Sequence, residues 1–198
     1  PLSAVGDVNT YQVFAGLVRQ IVGPRGRVGI IVPSGIATDY YNQDYFSTIV
    51  EDQELVSFYD FENKRGLFPE IGAVMKFSLL TLSGSKVTIE EPEFAFFLWG
   101  TDDLADPNRL YTLTNADFVL LNPNTKTCPV FRTRRDADVT KQIYQTATVL
   151  VNEATGENLW GVSFLRMFDM TNDSQLFCTR EELKAEGFAL QGNSFVRG

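Results

Sequence analysis

The residue types that carry chemistry in this chain are few, and their spacing narrows them further. There is no histidine among the 198 residues, which removes Ser-His-Asp and Cys-His catalysis, histidine proton shuttles and histidine-bearing zinc sites. Two cysteines, Cys128 and Cys178, are too few for a disulfide framework or a cysteine metal site. They fit a reduced, cytoplasmic setting, with one disulfide as the alternative. Gly23, Gly26 and Gly29 make a GxxGxxG, but a dinucleotide loop needs GxGxxG after a strand and before a helix. Here helix precedes strand, so the glycines read as a turn. Asn122-Pro123 shares two letters with the Asn-Pro-Pro-aromatic loop of amino-methyltransferases, lacks the rest, and reads as an Asn-Pro turn. Asp173 with Glu182-Leu183-Lys184 mimics a nuclease metal motif, yet Thr179 and Glu182 form a capping box that puts the pair on a helix instead of a strand. The acids Glu90, Glu91 and Glu93, and Asp102, Asp103 and Asp106, read as solvated surface and not as paired glycosidase carboxylates. Lys126, Arg132, Arg134 and Arg135 stand together in a stretch without an acid. They suit a solvated face or contact with phosphates.

These groups need elements to hold them. Residues 8–22 place Tyr11, Phe14, Leu17, Val18, Ile21 and Val22 at three- and four-residue steps, an amphipathic helix stopped by Gly23-Pro24. Arg27 to Pro33 is a continuous apolar run, which predicts a strand buried on both faces. Thr38 is a candidate N-cap, and the helix after it puts Tyr41, Tyr45, Phe46, Ile49 and Val50 on one side. Leu55 to Phe61 and Lys76 to Leu82 read as strands, joined by a loop that carries Gly66, Pro69 and Gly72. Helix alternating with buried strand predicts α/β, and a last strand joined without a helix predicts an antiparallel edge. Short helices are expected over 136–144 and 179–186. The expected organisation is 1–84 as one part, 85–125 as an acidic connection, and 126–198 as a following α+β region.

Composition bounds the partners. With 17 basic and 25 acidic residues the net charge is −8, which argues against nonspecific coating of nucleic acid and leaves room for a local basic patch. Hydrophobics at 44% and charged residues at 21% describe a globular chain able to build a core. No apolar run has the length of a membrane helix. The opening at Pro1 suggests a piece of a longer chain.

The order of these segments over residues 6–84 resembles the back half of N6-adenine DNA methyltransferases, in particular single-chain type IIG restriction–modification enzymes and related phage-defence methylases. The matching features are Asn9, Tyr11 and Phe14 of an Asn-x-Tyr-x-x-Phe helix, the Gly23–Gly26 turn, a strand ending in Val32-Pro33, and Phe68-Pro69 before the last strand. Residues 129–180 are similar to the stretch that follows the methyltransferase core in the same proteins. The resemblance implies the C-terminal half of a Rossmann-like methyltransferase sheet with an antiparallel last strand. It implies S-adenosylmethionine as cofactor and double-stranded DNA as partner, with no metal in this region. Phe14 corresponds to an aromatic beside the cofactor adenine; read from its helix alone, it is core. Phe68 corresponds to the aromatic that stacks on a flipped adenine, with Lys64 and Arg65 beside it, and Arg132, Arg134 and Arg135 as further DNA contacts. The family's glycine-rich cofactor loop, acidic ribose residue and Asn-Pro-Pro-aromatic loop do not occur in these residues, so catalysis is assigned to none of them. The rival expectation is a non-catalytic DNA-specificity or protein-interaction module on an α/β scaffold.

Overall fold

The computed structural model describes residues 9–198. Val8, where the helical pattern begins, and Gly6-Asp7 of the resemblance lie outside them. Contacts divide the chain into two compact units, one ending at Trp160 and one spanning Gly161–Gly198.

In the first unit, α1 (Thr10–Ile21) opens on a capping box in which Gln12 Oε1 accepts the Asn9 backbone N–H at 2.7 Å. β1 (Arg27–Pro33) follows, then α2 (Gly35–Thr38), a 3-10 turn at Tyr40–Asn42, and α3 (Gln43–Glu51). Thr38 does not cap α3. It closes α2, and extended backbone at Asp39 separates the two helices, so Asn42 takes the cap position. Tyr41 is correspondingly exposed, whereas Tyr45, Phe46, Ile49 and Val50 are buried as expected. β2 (Leu55–Glu62) and β3 (Lys76–Ser83) occupy the predicted apolar runs.

The sheet is mixed and runs β1-β3-β2-β4-β5, where β4 is Glu93–Leu98 and β5 is Tyr111–Thr112. β1 and β2 are both antiparallel to β3 and so parallel to each other, as expected. The antiparallel strand is not at the edge, however. The helical crossover from β1 to β2 leaves a one-strand gap, and the direct loop from β2 lays β3 into it. β4 then adds parallel to β2, and β5 antiparallel to β4.

Alternation along the strands divides the core between the two faces. One cluster joins Phe58, Leu80, Phe94 and Phe96 to Phe46 and Ile49 of α3, to Phe118 of α4 (Asn115–Leu121), and to Ala137 of α5 (Arg134–Thr146). The other holds Phe61, Ala95 and Leu98, with Tyr59, Phe77 and Leu79 packed on them. β1 departs from its expected burial on both faces. Val28, Ile30 and Val32 meet the first cluster, while Ile31 is 56% exposed, because no helix covers its face among the described residues.

α1 also turns a different face inward. Ala15 and Gln12 are buried, and Phe14, Leu17 and Ile21 are exposed. The buried stripe is small and polar because it is latched. Gln12 Nε2 donates to Asn42 Oδ1 at 2.8 Å, Tyr45 Oη donates to the Ala15 carbonyl at 3.1 Å, and Arg19 bridges Asp52 and Glu54. The Gly23–Gly26 turn rests on the end of β3, where Gly26 O accepts Gly84 N–H at 2.9 Å.

In the second unit, α6 (Arg180–Ala185) carries the expected Thr179–Glu182 capping box, and β6 (Ala189–Gln191) pairs with β7 (Ser194–Val196) through a turn with Gly192 at φ 61. Among the described residues, no helix is long and apolar enough to cross a membrane.

Candidate functional site

Because β1, β2 and β4 run in one direction, their carboxyl ends share one end of the sheet, level with the start of β3. Phe77 pairs with both Pro33 and Phe61, and Phe61 pairs with Leu98. Ligands of open α/β sheets bind at such an end. A cleft of about 270 Å³ opens here between Val32-Pro33 of β1, Lys76-Phe77 of β3, and Phe68, Ile71 and Met75 of the β2–β3 loop. Phe68 also borders a shallower cavity of about 170 Å³ with Phe61, Leu67 and Thr101. Its half-buried ring therefore stands between two openings. It meets Phe77 edge-on at 4.8 Å, and Phe77 stacks on Phe61 at 5.4 Å.

The loop is held by Asn63, which is 1% exposed. Its side-chain N–H groups donate to the Phe68 carbonyl at 2.9 Å and the Ile71 carbonyl at 2.8 Å, and its Oδ1 accepts Phe68 N–H at 3.0 Å. Gly66 turns the chain at φ 66, a left-handed conformation that suits glycine.

Near the end of β2 lies a buried acid, Asp60, whose position alternates with that of Phe61 along the strand. Asp60 accepts hydrogen bonds from Ser34 Oγ and from Ser78 Oγ, the latter at 3.3 Å. The Phe97 N–H also points to it, and burial still raises its carboxyl above the ordinary value. Phe97 sits at φ 59, where the β2–β4 register shifts. A left-handed non-glycine residue costs roughly 1–3 kcal/mol and persists only where neighbours enforce it. Asp60 holds the amide here, and Arg109 Nη2 donates to the Phe97 carbonyl at 2.8 Å.

The sequence-predicted cations are placed as follows. Lys64 pairs with Glu62 at 2.6 Å and lies 4.8 Å from the Trp99 ring centre. The Trp99 indole N–H donates to Glu62 at 3.0 Å, and the Lys64 ammonium beside Glu62 lowers that carboxyl. Lys76 is 3.8 Å from Glu62 and 5.0 Å from the Phe97 ring centre, and Arg132 lies 4.5 Å from the same ring. Arg65 is held by both Asp102 oxygens, which keeps that carboxyl low. Arg134 donates to the Leu110 carbonyl at 3.1 Å, Arg135 is exposed beside it on α5, and Lys126 pairs with Glu51 at 2.6 Å. The Lys126–Arg135 group is therefore divided between separate partners. Phe14 is 57% exposed on α1, which rules out the core reading of that ring, and the cavities above are lined by other residues.

Sequence reasoning missed Asp60, Asn63, Phe97 and Trp99. An acid inside the apolar run of β2 was the available signal for Asp60. Adjacent Phe96-Phe97, which breaks strand alternation, was the signal for the bulge. A larger cavity of about 440 Å³ lies between α3 and α4, beside the Lys126–Glu51 pair, and its lining is mostly apolar. Cys128 is buried and Cys178 exposed, both as free thiols. Among the described residues, no three His, Cys, Asp or Glu side chains are grouped to hold a metal.

No family profile and no curated protein matches the chain. Among solved structures, the type IIG restriction endonuclease BpuSI is similar to 72% of it, with a TM-score of 0.42 and 14% identity. The chain spans 16% of that endonuclease.

Proposed function

We propose that these residues form the substrate-side part of a DNA adenine-N6 methyltransferase from a restriction–modification or phage-defence system, with S-adenosylmethionine as methyl donor. The observation that carries this reading is Phe68. It is a half-buried aromatic ring held by Asn63 and Phe77 over a cleft at the carboxyl ends of parallel strands. A flipped base has lost its stacking neighbours and needs such a π surface. The cleft, at about 270 Å³, is slightly smaller than the roughly 300–1,000 Å³ usual for drug-sized ligands, which suits a single planar ring. The motif order over 6–84 supports the reading, as does the antiparallel direction of β3, although β3 lies inside the sheet and two strands follow it. The family's glycine-rich cofactor loop does not occur in this sequence, and Phe14, exposed on α1, is the residue here proposed to line the cofactor adenine. Base capture, not methyl transfer, is the role assigned to the residues of the cleft.

The test is methyl transfer from labelled S-adenosylmethionine to duplex DNA by the full-length protein. Phe68→Ala is expected to slow it by roughly 5- to 150-fold, the range given by about 1–3 kcal/mol per stacked base, and Phe68→Tyr to preserve it. A non-catalytic module would bind DNA and transfer nothing, and that result would sink this reading.

A further inference from the structure

At the carboxyl end of the sheet, aromatic rings and cations alternate in one continuous strip: Lys64 on Trp99, then Glu62, then Lys76 and Arg132 on Phe97. Lys64 and Lys76 share one carboxylate, Glu62, and Arg132 adds a third cation on Phe97. Asp103, which accepts the Trp99 backbone N–H at 2.6 Å, is itself paired with Arg109. The strip is thus locally positive in a chain whose net charge is −8. Glu62 binds Lys64, Lys76 and the Trp99 indole together, so these side chains are ordered before any ligand arrives. Lys76 also lines the Phe68 cleft, so strip and cleft are contiguous. Trp99 is 43% exposed, and Lys64, Lys76 and Arg132 are exposed as well.

We infer that the strip is the track along which a nucleic-acid strand leaves the Phe68 cleft. Its phosphates meet Lys76, Arg132 and Lys64, and Trp99 packs against a sugar or an unstacked base. The inference rests on the reading of the cleft as a base site. Ordered cations between aromatic surfaces are what a phosphate backbone and its bases require. Glu62 tempers the affinity, because an arriving phosphate must compete with it for both lysines. The strip therefore predicts an unusual sign: removing the Glu62 charge tightens binding.

The experiment measures binding of a fluorescein-labelled duplex oligonucleotide to the full-length protein across a sodium chloride series, beside the methyl-transfer assay. Lys76→Gln and Arg132→Gln should each lower the slope of log affinity against log salt by about one. Trp99→Ala should weaken binding about fivefold or more, and Glu62→Gln should strengthen it at low salt. Lys86→Gln, beyond the far end of β3, should change neither quantity. Wild-type slopes and affinities in the Lys76, Arg132 and Trp99 variants would overturn the strip while leaving the methyltransferase reading intact. Lost slopes in a protein that transfers no methyl group would uphold the strip and remove that reading. A protein that binds no oligonucleotide overturns the strip.

Discussion

Asn63 directly follows β2, and its three side-chain hydrogen bonds all go to the main chain of the loop that carries Phe68. Asn63→Ala leaves the Phe68 N–H and the Ile71 carbonyl without these partners, while the Phe68 carbonyl keeps the Ile71 N–H, a loss of about 1–3 kcal/mol. It should slow methylation although Phe68 is untouched. Denaturant melts and turnover, measured together, check this: lost stability with unchanged turnover would separate the loop from the substrate. Asp60 offers a second test. Burial raises its carboxyl, so the folded protein holds this proton more tightly than the unfolded chain does. Its contribution to stability is therefore greatest below the ordinary carboxyl value and is lost as pH rises through the raised folded value. Asp60→Asn should flatten that decline, read as denaturation midpoints across a pH series, and an unchanged slope would assign it to other carboxyls. The loop that carries Phe68, Lys64 and Arg65 was legible in sequence because Gly66 and Pro69 mark it, and the resemblance singled out Phe68 within it. Asp60 and Trp99 were not, since an acid in a strand reads as a solvent face, and a tryptophan after one reads as core.

Strand positions followed directly from apolar runs, but which faces they bury did not. In α1 the larger apolar stripe of Phe14, Leu17 and Ile21 lies outside, because hydrogen bonds from Gln12 and Tyr45 draw the stripe through Ala15 inward. Periodicity counts apolar residues and is blind to such latches. β3 was expected at an edge because direct connection specifies adjacency to β2 without specifying on which side a further strand adds. Glycine positions give a sharp test at this scale. A Cβ on Gly84 would lie 2.0 Å from the Gly23 carbonyl oxygen, backbone that cannot swing aside, whereas one on Gly29 would meet nothing within 4 Å. Gly84→Ala should cost about 1–3 kcal/mol, and each kcal/mol should lower Tm by about 2–4 °C. Gly29→Ala should leave Tm unchanged or slightly raised. Equal melting of the two variants would mean that the α1–β1 turn does not rest on Gly84.

The α/β class was legible across the molecule because alternating helices and buried strands survive even when single faces are misjudged. The region after residue 85 was harder to read, since β4 is short and bulged and β5 has two residues. None of residues 161–198 is buried, and so small a unit without a core has little stability of its own. Limited proteolysis should cut there first, and first cuts within residues 9–160 instead would contradict this. The 198-residue chain alone should bind no S-adenosylmethionine, because few contacts offset the cost of ordering a ligand. Saturable calorimetric binding in the low micromolar range would contradict this.

The Asn63 latch has an evolutionary consequence. It grips only main-chain atoms of Phe68 and Ile71, and the loop closes through further main-chain bonds from Gly66 to Asn63 and from Met75 to Gly72. Apart from Phe68, whose ring rests on Phe77, the side chains at 67–71 are therefore not what closes the loop they decorate. Substitution of Leu67 or Ile71 can alter the lining of the cavities while Asn63 keeps the main chain in place.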